Sequence, residues 1–327
     1  MLKDTFNREH DYLRISLTDK CNLRCSYCNP VDLPKGYFAH SDKMTAEEID
    51  TIAGIFVQLG IKKIRLTGGE PLVRKDAKKI IRLLSKYPVE LTITTNGVFA
   101  DEFIQDFKQA GIRSVNVSLD SLDKEKNKAI SGRDEFDRIF QNINLLLKNN
   151  FQVKINTVVM RNVNDDEIPR FVAWTKLEKV HVRFIEFMPF SGNAWSKEKV
   201  FSYDEMLKLI SLNHNFIKLP DERYDTTKKY AIPGHKGTFA IISTMSHPFC
   251  SGCNRLRLTT DGKMKNCLFS KTETDILGAL RKGYDIVPLI KQCVWEKEEM
   301  QGGQFISRYE QLDSSKINNR SMINIGG

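Results

Sequence analysis

The sequence predicts an α/β fold: a parallel sheet with helical crossovers, in which six strand–helix units make a barrel left incomplete. Three observations carry that expectation. Short β-branched runs alternate with amphipathic stretches over the first two-thirds of the chain. The strand-like runs lie near residues 11–18, 62–67, 90–95, 113–119, 152–159 and 181–187, and helical stretches follow most of them. Within the strands, polar and apolar side chains alternate, so each strand has two faces of different character.

Each element follows from local chemistry. The first strand carries Arg14-Ile15-Ser16-Leu17-Thr18, strictly alternating. The next helix begins at Thr45, because Thr45-x-x-Glu48 has the form of a capping box. It runs to Gly60, a suitable C-terminal stop. In Lys63-Ile64-Arg65-Leu66-Thr67, Ile64 and Leu66 are expected to face the helices, and Lys63, Arg65 and Thr67 the barrel interior. The alternation recurs at Thr92 and Thr94, and at Asn116, Ser118 and Asp120. Asn164 is expected to cap a later helix, with Asp165, Asp166 and Glu167 suiting its positive end. For a single strand, an antiparallel sheet with one wet face explains the pattern equally well. Helical crossovers joining several such strands favour the barrel.

A closed barrel is ordinarily filled by Val, Ile and Leu. This interior is instead polar and cationic, and buried unpaired charges are costly, so it needs an anionic partner. Residues 190–235 read as a less regular connection. From about 236 the chain turns β-rich and then helical. The expected division is 1–215 for the barrel and 216–327 for a C-terminal domain. No internal repeat or low-complexity segment is present.

With 327 residues and 41% hydrophobic content, the chain can build one large domain or two unequal ones. Its start, MLKDTFNREHDYLR, lacks the apolar core of a signal peptide. No apolar run approaches the roughly 18–20 residues a bilayer requires. The expectation is a soluble, cytoplasmic protein. The net charge of +9 attracts polyanions, nucleic acid and nucleotide polyphosphate alike.

Six of the cysteines form two triplets. Cys21, Cys25 and Cys28 read C-x3-C-x2-C, and Cys250, Cys253 and Cys267 read C-x2-C-x13-C. A cubane iron–sulfur cluster normally takes four thiolates, so a triplet leaves one iron open. An open position binds reactants, whereas a closed ligand set holds structure. Two triplets therefore suggest two clusters, each holding a different small molecule. Zinc fits the first triplet poorly, because no fourth Cys or His lies close by. In a reducing compartment, metal binding is favoured over disulfides. The seventh, Cys293, reads as a free buried thiol.

The first triplet, with Tyr27 before its last Cys, resembles the signature of radical S-adenosylmethionine (radical SAM) enzymes. Thr67-Gly68-Gly69-Glu70-Pro71 resembles that family's GGEP segment. The second triplet, with Arg255 and Arg257 just after its second Cys, is similar to the GTP 3′,8-cyclase family, which opens molybdenum-cofactor biosynthesis. The likeness runs from Arg14 to the terminal Gly326-Gly327 and includes LTGGEP, TTNG, NVSLD and RFIEFM. One departure is Asn29, where the family often has Met.

The resemblance implies an incomplete (β/α)6 barrel of the radical SAM type, with the C-terminal domain closing its open side. It implies two 4Fe–4S clusters and S-adenosylmethionine as cofactors. Cys21, Cys25 and Cys28 would hold the cluster that binds S-adenosylmethionine, which Tyr27, Gly69, Ser118 and Met188 would contact. Cys250, Cys253 and Cys267 would hold a second cluster whose open iron takes the guanine base. Arg14, Arg65, Thr94, Lys154, Arg255 and Arg257 match GTP contacts, and Lys63 and Arg183 would add charge around the triphosphate. Arginine forks suit phosphate oxygens. Arg14, Arg255, Arg257, Gly326 and Gly327 would act in turnover, the diglycine tail reaching into the active site.

The implied reaction takes hydrogen from C3′ of GTP with a 5′-deoxyadenosyl radical, and the carbon radical closes onto C8. The product is 3′,8-cyclo-7,8-dihydro-GTP. Implied partners are cyclic pyranopterin monophosphate synthase, an electron donor and a second copy in a homodimer, with no membrane or nucleic acid. Two rivals stand beside this reading: a radical enzyme acting on RNA or peptide, and an iron–sulfur carrier or sensor. RNA-modifying relatives generally lack the second triplet, peptide-maturing ones usually carry a longer cysteine set, and carriers close their clusters with four protein ligands.

Overall fold

The computed structural model describes residues 1–28, 43–305 and 308–326. Asn29 and Gly327 lie outside the described residues. A short antiparallel ribbon pairs β1 (Leu2–Lys3) with β2 (Glu9–His10). Six strands then alternate with helices: β3 (Tyr12–Ser16), β4 (Lys63–Thr67), β5 (Glu90–Thr95), β6 (Ser114–Ser118), β7 (Gln152–Val159) and β8 (Val180–Glu186). Their bounds agree with the six runs read from sequence to within two residues at each end. The intervening helices are α1 (Ala46–Gln58), α2 (Ala77–Leu84), α3 (Ile104–Gln109), α4 (Lys124–Ser131), α5 (Phe136–Lys148) and α6 (Ile168–Leu177).

The remaining chain forms α7 (Tyr203–Ser211), β9 (Ile217–Lys218), β10 (Lys228–Ala231), β11 (Thr238–Ile242), β12 (Arg255–Leu258), β13 (Lys263–Lys265) and β14 (Thr274–Asp275). It ends with α8 (Ile276–Arg281), α9 (Val287–Trp295) and α10 (Met322–Ile325). Among the described residues, one sheet of 12 strands runs in the order β14-β13-β12-β3-β4-β5-β6-β7-β8-β11-β10-β9. It is parallel from β12 through β11 and antiparallel at both ends. The C-terminal residues thus extend both edges of the six-stranded core, and the sheet is not closed.

The two faces separate as the alternation requires. Leu13, Ile15, Ile64, Leu66, Ile93, Val115, Val117, Ile155, Val182 and Phe184 are fully buried against the helical layer. Arg14, Lys63, Arg65, Asn116, Lys154 and Arg183 point the other way, into a cavity. Helix α1 shows why the local signals worked. Thr45 accepts from the Glu48 amide at 3.1 Å, and Glu48 accepts from the Thr45 amide at 2.7 Å. Ile49, Ile52, Ala53 and Phe56 share its buried face. Gly60 follows its C-cap with φ +103°, a conformation that glycine adopts without strain.

Two local expectations need correction. Asn164 precedes a short 3₁₀ turn but makes no side-chain cap there. Its amide accepts instead from the Met160 amide at 2.8 Å and donates to Asp120 O at 2.8 Å and Val158 O at 2.9 Å. A fully buried amide satisfies nearby strand-end carbonyls before it caps. Residues 190–235 are also more regular than expected. They contain α7, whose Ser202–Glu205 pair forms a capping box.

Candidate active site

The loop after β3 carries the first triplet, as expected for a ligand site at the carboxyl ends of parallel strands. Cys21, Cys25 and Cys28 line a cavity of about 180 Å³ together with Tyr27, Gly69, Thr94, Ser118, Asp120, Asn127 and Met188. The GGEP loop is stitched to the residues before the triplet. The Gly69 amide donates to Thr18 O at 2.6 Å, and the Glu70 amide to Lys20 O at 2.8 Å.

The Glu70 carboxylate is fully buried and accepts from the Leu72 amide (3.0 Å), Thr95 Oγ1 (2.8 Å) and the Asn96 amide (2.6 Å). It thereby binds the ends of β4 and β5 together. Burial pushes its pKa up to about 7 against those donors. Asn96 donates to Cys21 Sγ at 3.8 Å, and Tyr27 donates to Asp120 Oδ2 at 2.7 Å. Burial first, then neighbouring anionic groups, raises Cys21 to about 11 and Cys28 to about 12. Loading a metal centre there would therefore release protons.

The second cavity is larger, about 740 Å³, within the range of small-molecule sites. Cys250, Cys253 and Cys267 stand on its wall with Arg14, Lys63, Arg65, Lys154, Arg183, Arg255 and Arg257. Register explains the convergence. Arg257 pairs with Arg14, and Arg14 with Arg65, across three adjacent parallel strands. One row of the sheet thus presents three guanidinium groups to one side. Buried Nε atoms of Arg14, Arg65 and Arg183 find no partner among the described residues. Burial, then the fellow cations, pushes Arg183 down to about 9; burial likewise brings Arg14 down to about 10. Such a wall needs an anion.

Cys250 and Cys253 differ. Burial raises Cys250, whereas at Cys253 it is outweighed by Lys297 and Arg255, which bring the thiol down to about 6. Among the described residues, no three His, Cys, Asp or Glu groups converge tightly enough for a single metal ion. Each triplet instead borders a cavity. Three thiols beside an open space suit a cluster with one free iron position, and the orphaned guanidinium nitrogens suit a polyanion beside it.

The cavities adjoin. Asn156, Ile185, Met188 and Met322 line both. Met322 belongs to α10, so the C-terminal tail enters the barrel. Gly326 O accepts from Arg257 Nη1 at 2.6 Å. The expected site residues that are described therefore border the two adjoining cavities or, at Gly326, bond to their wall, with one adjustment. Thr94 lines the first cavity, not the second, and its hydroxyl lies 3.5 Å from both Arg65 Nη1 and Asn116 Nδ2.

The sequence matches the Radical SAM superfamily over residues 15–175 and the Molybdenum Cofactor Synthesis C family over residues 180–302. It is 42% identical over 338 residues to "GTP 3′,8-cyclase, mitochondrial" of Arabidopsis thaliana, covering 100% of this chain and 84% of that protein. The chain belongs to the GTP 3′,8-cyclase family of radical SAM enzymes. Members of the radical SAM superfamily bind S-adenosylmethionine and a 4Fe–4S cluster. The chain is also 41% identical over 337 residues to "Molybdenum cofactor biosynthesis protein 1" of Dictyostelium discoideum, covering 100% of this chain and 52% of that protein. It thus spans about half the length of the first curated relatives it matches. Streptococcus suis SuiB bound to S-adenosylmethionine shares the fold, with a TM-score of 0.64 at 15% identity over 97% of this chain and 74% of that one. Among the described residues, no helix is long and apolar enough to cross a membrane.

Several site residues escaped the sequence reading. Asp120, Asn96 and Glu70 lay inside quoted segments but had no assigned task. Asn156 and Met322 fall between motifs. Glu186, within RFIEFM, is fully buried. It accepts from the Tyr203 amide (2.9 Å), the Met245 amide (2.7 Å), the Ser246 amide (3.0 Å) and the Ser246 hydroxyl. It therefore moors the segment leading to Cys250 onto β8. Glu186→Ala would strand those donors, each at about 1–3 kcal/mol. The expected loss is about 3 kcal/mol or more, read as a lower urea midpoint with an unchanged m-value.

Proposed function

We propose that this chain is a GTP 3′,8-cyclase, converting GTP to 3′,8-cyclo-7,8-dihydro-GTP at the start of molybdenum-cofactor biosynthesis. The observation that carries this reading is the pair of adjoining cavities, one cysteine triplet on each, with guanidinium Nε atoms that find no partner among the described residues on the wall of the larger. Cys21, Cys25 and Cys28 would hold the S-adenosylmethionine cluster, with Tyr27, Gly69, Ser118 and Met188 around the cosubstrate. Bound there, cluster and cosubstrate would supply the radical chemistry that removes the C3′ hydrogen. Cys250, Cys253 and Cys267 would hold a second 4Fe–4S cluster that takes the guanine.

Arg14, Arg65, Lys154, Arg183 and Lys63 clamp the triphosphate, while Arg255 and Arg257 orient the nucleoside end. Met188, Met322, Asn156 and Ile185 hold the two reactants on either side of a narrow divide. Alignment of that kind is worth on the order of 7–11 kcal/mol in ideal cases. The two parts of the reading are a barrel over 1–215 and a second-cluster domain over 216–327. A cytoplasmic location, a homodimer, an electron donor and hand-over to cyclic pyranopterin monophosphate synthase complete it.

The deciding experiment is anaerobic. The reconstituted, reduced protein is given S-adenosylmethionine, and 5′-deoxyadenosine is quantified with GTP, with ATP and with neither. Strong stimulation by GTP, with a product isobaric with GTP, is expected. Cleavage indifferent to GTP would move the substrate to RNA or peptide.

Lys154 supplies an independent check of the triphosphate clamp. Burial, then Arg183, Arg65 and Lys63, pushes it down to about 8. Near pH 8 Lys154 in the free site is then only about half charged, and a bound polyanion restores its charge. GTP binding is therefore expected to take up protons near pH 8 and to weaken as pH rises further. Calorimetry at pH 8 in buffers of different ionisation enthalpy reads the uptake directly. Lys154→Met should remove most of it, leaving the smaller share that Arg183 contributes at about 9.

A further inference from the structure

Behind the second triplet, the first ten residues meet the segment that follows α9. Arg8 donates to Cys250 O at 3.0 Å, to Glu299 O at 2.6 Å and to Glu298 O at 2.8 Å. Asp4 fixes that guanidinium, accepting from Arg8 Nε at 2.6 Å. The Gln301 amide donates to Cys250 Sγ at 3.4 Å.

At the centre of this shell stands Lys297, only 3% exposed. Its Nζ reaches Asn266 O at 2.5 Å, Arg255 O at 3.1 Å and Cys253 Sγ at 3.8 Å. None of these partners is a carboxylate. Asn266 directly precedes Cys267, so one ammonium touches the surroundings of two of the three cysteines. A buried cation without a countercharge is costly. Bracing two carbonyls does not require one, because a neutral amide would do the same. The charge is accounted for if the thiolates and the cluster they hold are its counter-ion.

We propose that Lys297 sets the reduction potential of the second cluster, as a positioning residue whose charge acts through Cys253. This rests on the reading that the second triplet holds a cluster. An electron entering that cluster makes it one unit more negative, and a fixed ammonium against a ligating sulfur favours the reduced form. Hydrogen bonds to sulfur and nearby charge are established determinants of such potentials.

The test uses the full chain with Cys21→Ala, Cys25→Ala and Cys28→Ala, so that only the second triplet can load. Iron and sulfide are counted, and the midpoint is measured by dithionite titration with spectroscopic detection. Absence of iron with Lys297 intact would overturn the two-cluster reading itself. With iron present, Lys297→Met is expected to weaken reduction at least tenfold in equilibrium constant, about 59 mV for one electron. Lys297→Arg should stay nearer the parent. An unchanged midpoint in loaded Lys297→Met overturns the proposal. Should Lys297→Met fail to load, Lys297→Gln, which still serves the two carbonyls, decides by the same criterion. Loss of cluster from both neutral variants, with retention in Lys297→Arg, also supports a requirement for charge. Loss from all three overturns it in favour of packing.

Discussion

Gly69→Ala is expected to abolish S-adenosylmethionine binding and cleavage while leaving GTP binding intact. Gly69 sits in the turn after β4, its amide 2.6 Å from Thr18 O. A Cβ there would stand 2.4 Å from Lys20 O, 2.8 Å from Lys20 C and 3.1 Å from Asp19 O. All three are backbone atoms, so no side chain can swing aside. Relief requires moving residues 18–20, which lead straight into Cys21, or moving the turn, which Glu70 locks to Thr95 and Asn96. Either way the first triplet and the loop beside it part company. A misplacement of about 1 Å can cost roughly 10²-fold in rate. The second cavity does not include Gly69, so GTP affinity serves as the control for folding. Wild-type 5′-deoxyadenosine formation by the alanine variant would refute this account of the turn.

The barrel strands were legible because each does two jobs at fixed two-residue spacing. Ile64 and Leu66 must meet helices while Lys63 and Arg65 meet the cavity, and no other register serves both. The helix over 203–211 was legible in principle, since Ser202 and Glu205 carry the same capping signal as Thr45 and Glu48. The addition of β11 and β12 to opposite edges was not. Each is parallel to a strand far away in sequence, and no local pattern states which edge a strand joins.

The site divides in the same manner. The cysteine triplets are local in sequence or nearly so, and their spacing announces them. Thr94 shows what periodicity omits. Parity correctly placed it on the interior face, but parity does not give height along the barrel. Thr92 is level with Arg65, and Thr94 stands two residues further toward the carboxyl ends, beside the first triplet. Glu186 and Lys297 were invisible for a different reason. A lone Glu or Lys ordinarily reads as a solvated side chain. Only the fold reveals that one collects stranded amides and the other backs a cysteine.

The tail is where turnover should be most sensitive without loss of either cofactor. Arg257→Met is expected to lower the rate of GTP cyclisation by roughly 10²-fold or more, on the scale of removing one preorganised donor. Arg257 is 4% exposed, and burial together with Arg14 and Arg255 pushes its pKa well down, so its charge is held under tension. Its Nη1 spends one hydrogen bond on Gly326 O at 2.6 Å. Gly326 has φ +86°, and a Cβ there would lie 2.7 Å from Ser16 Cβ and 2.8 Å from Thr67 Oγ1. Only glycine brings the tail this far in without strain, and Arg257 donates to its carbonyl. The methionine variant keeps the bulk and loses both the fork and the anchor. S-adenosylmethionine should still bind, and hydrogen exchange over residues 321–326 should quicken as the tail leaves. Gly326→Ala should give the same two readouts with the arginine intact, because it removes the tail from the other side of the same bond. If Arg257→Met slowed cyclisation while the tail's exchange stayed unchanged, the arginine would act on the nucleotide alone. The hydrogen bond to Gly326 would then be incidental to turnover.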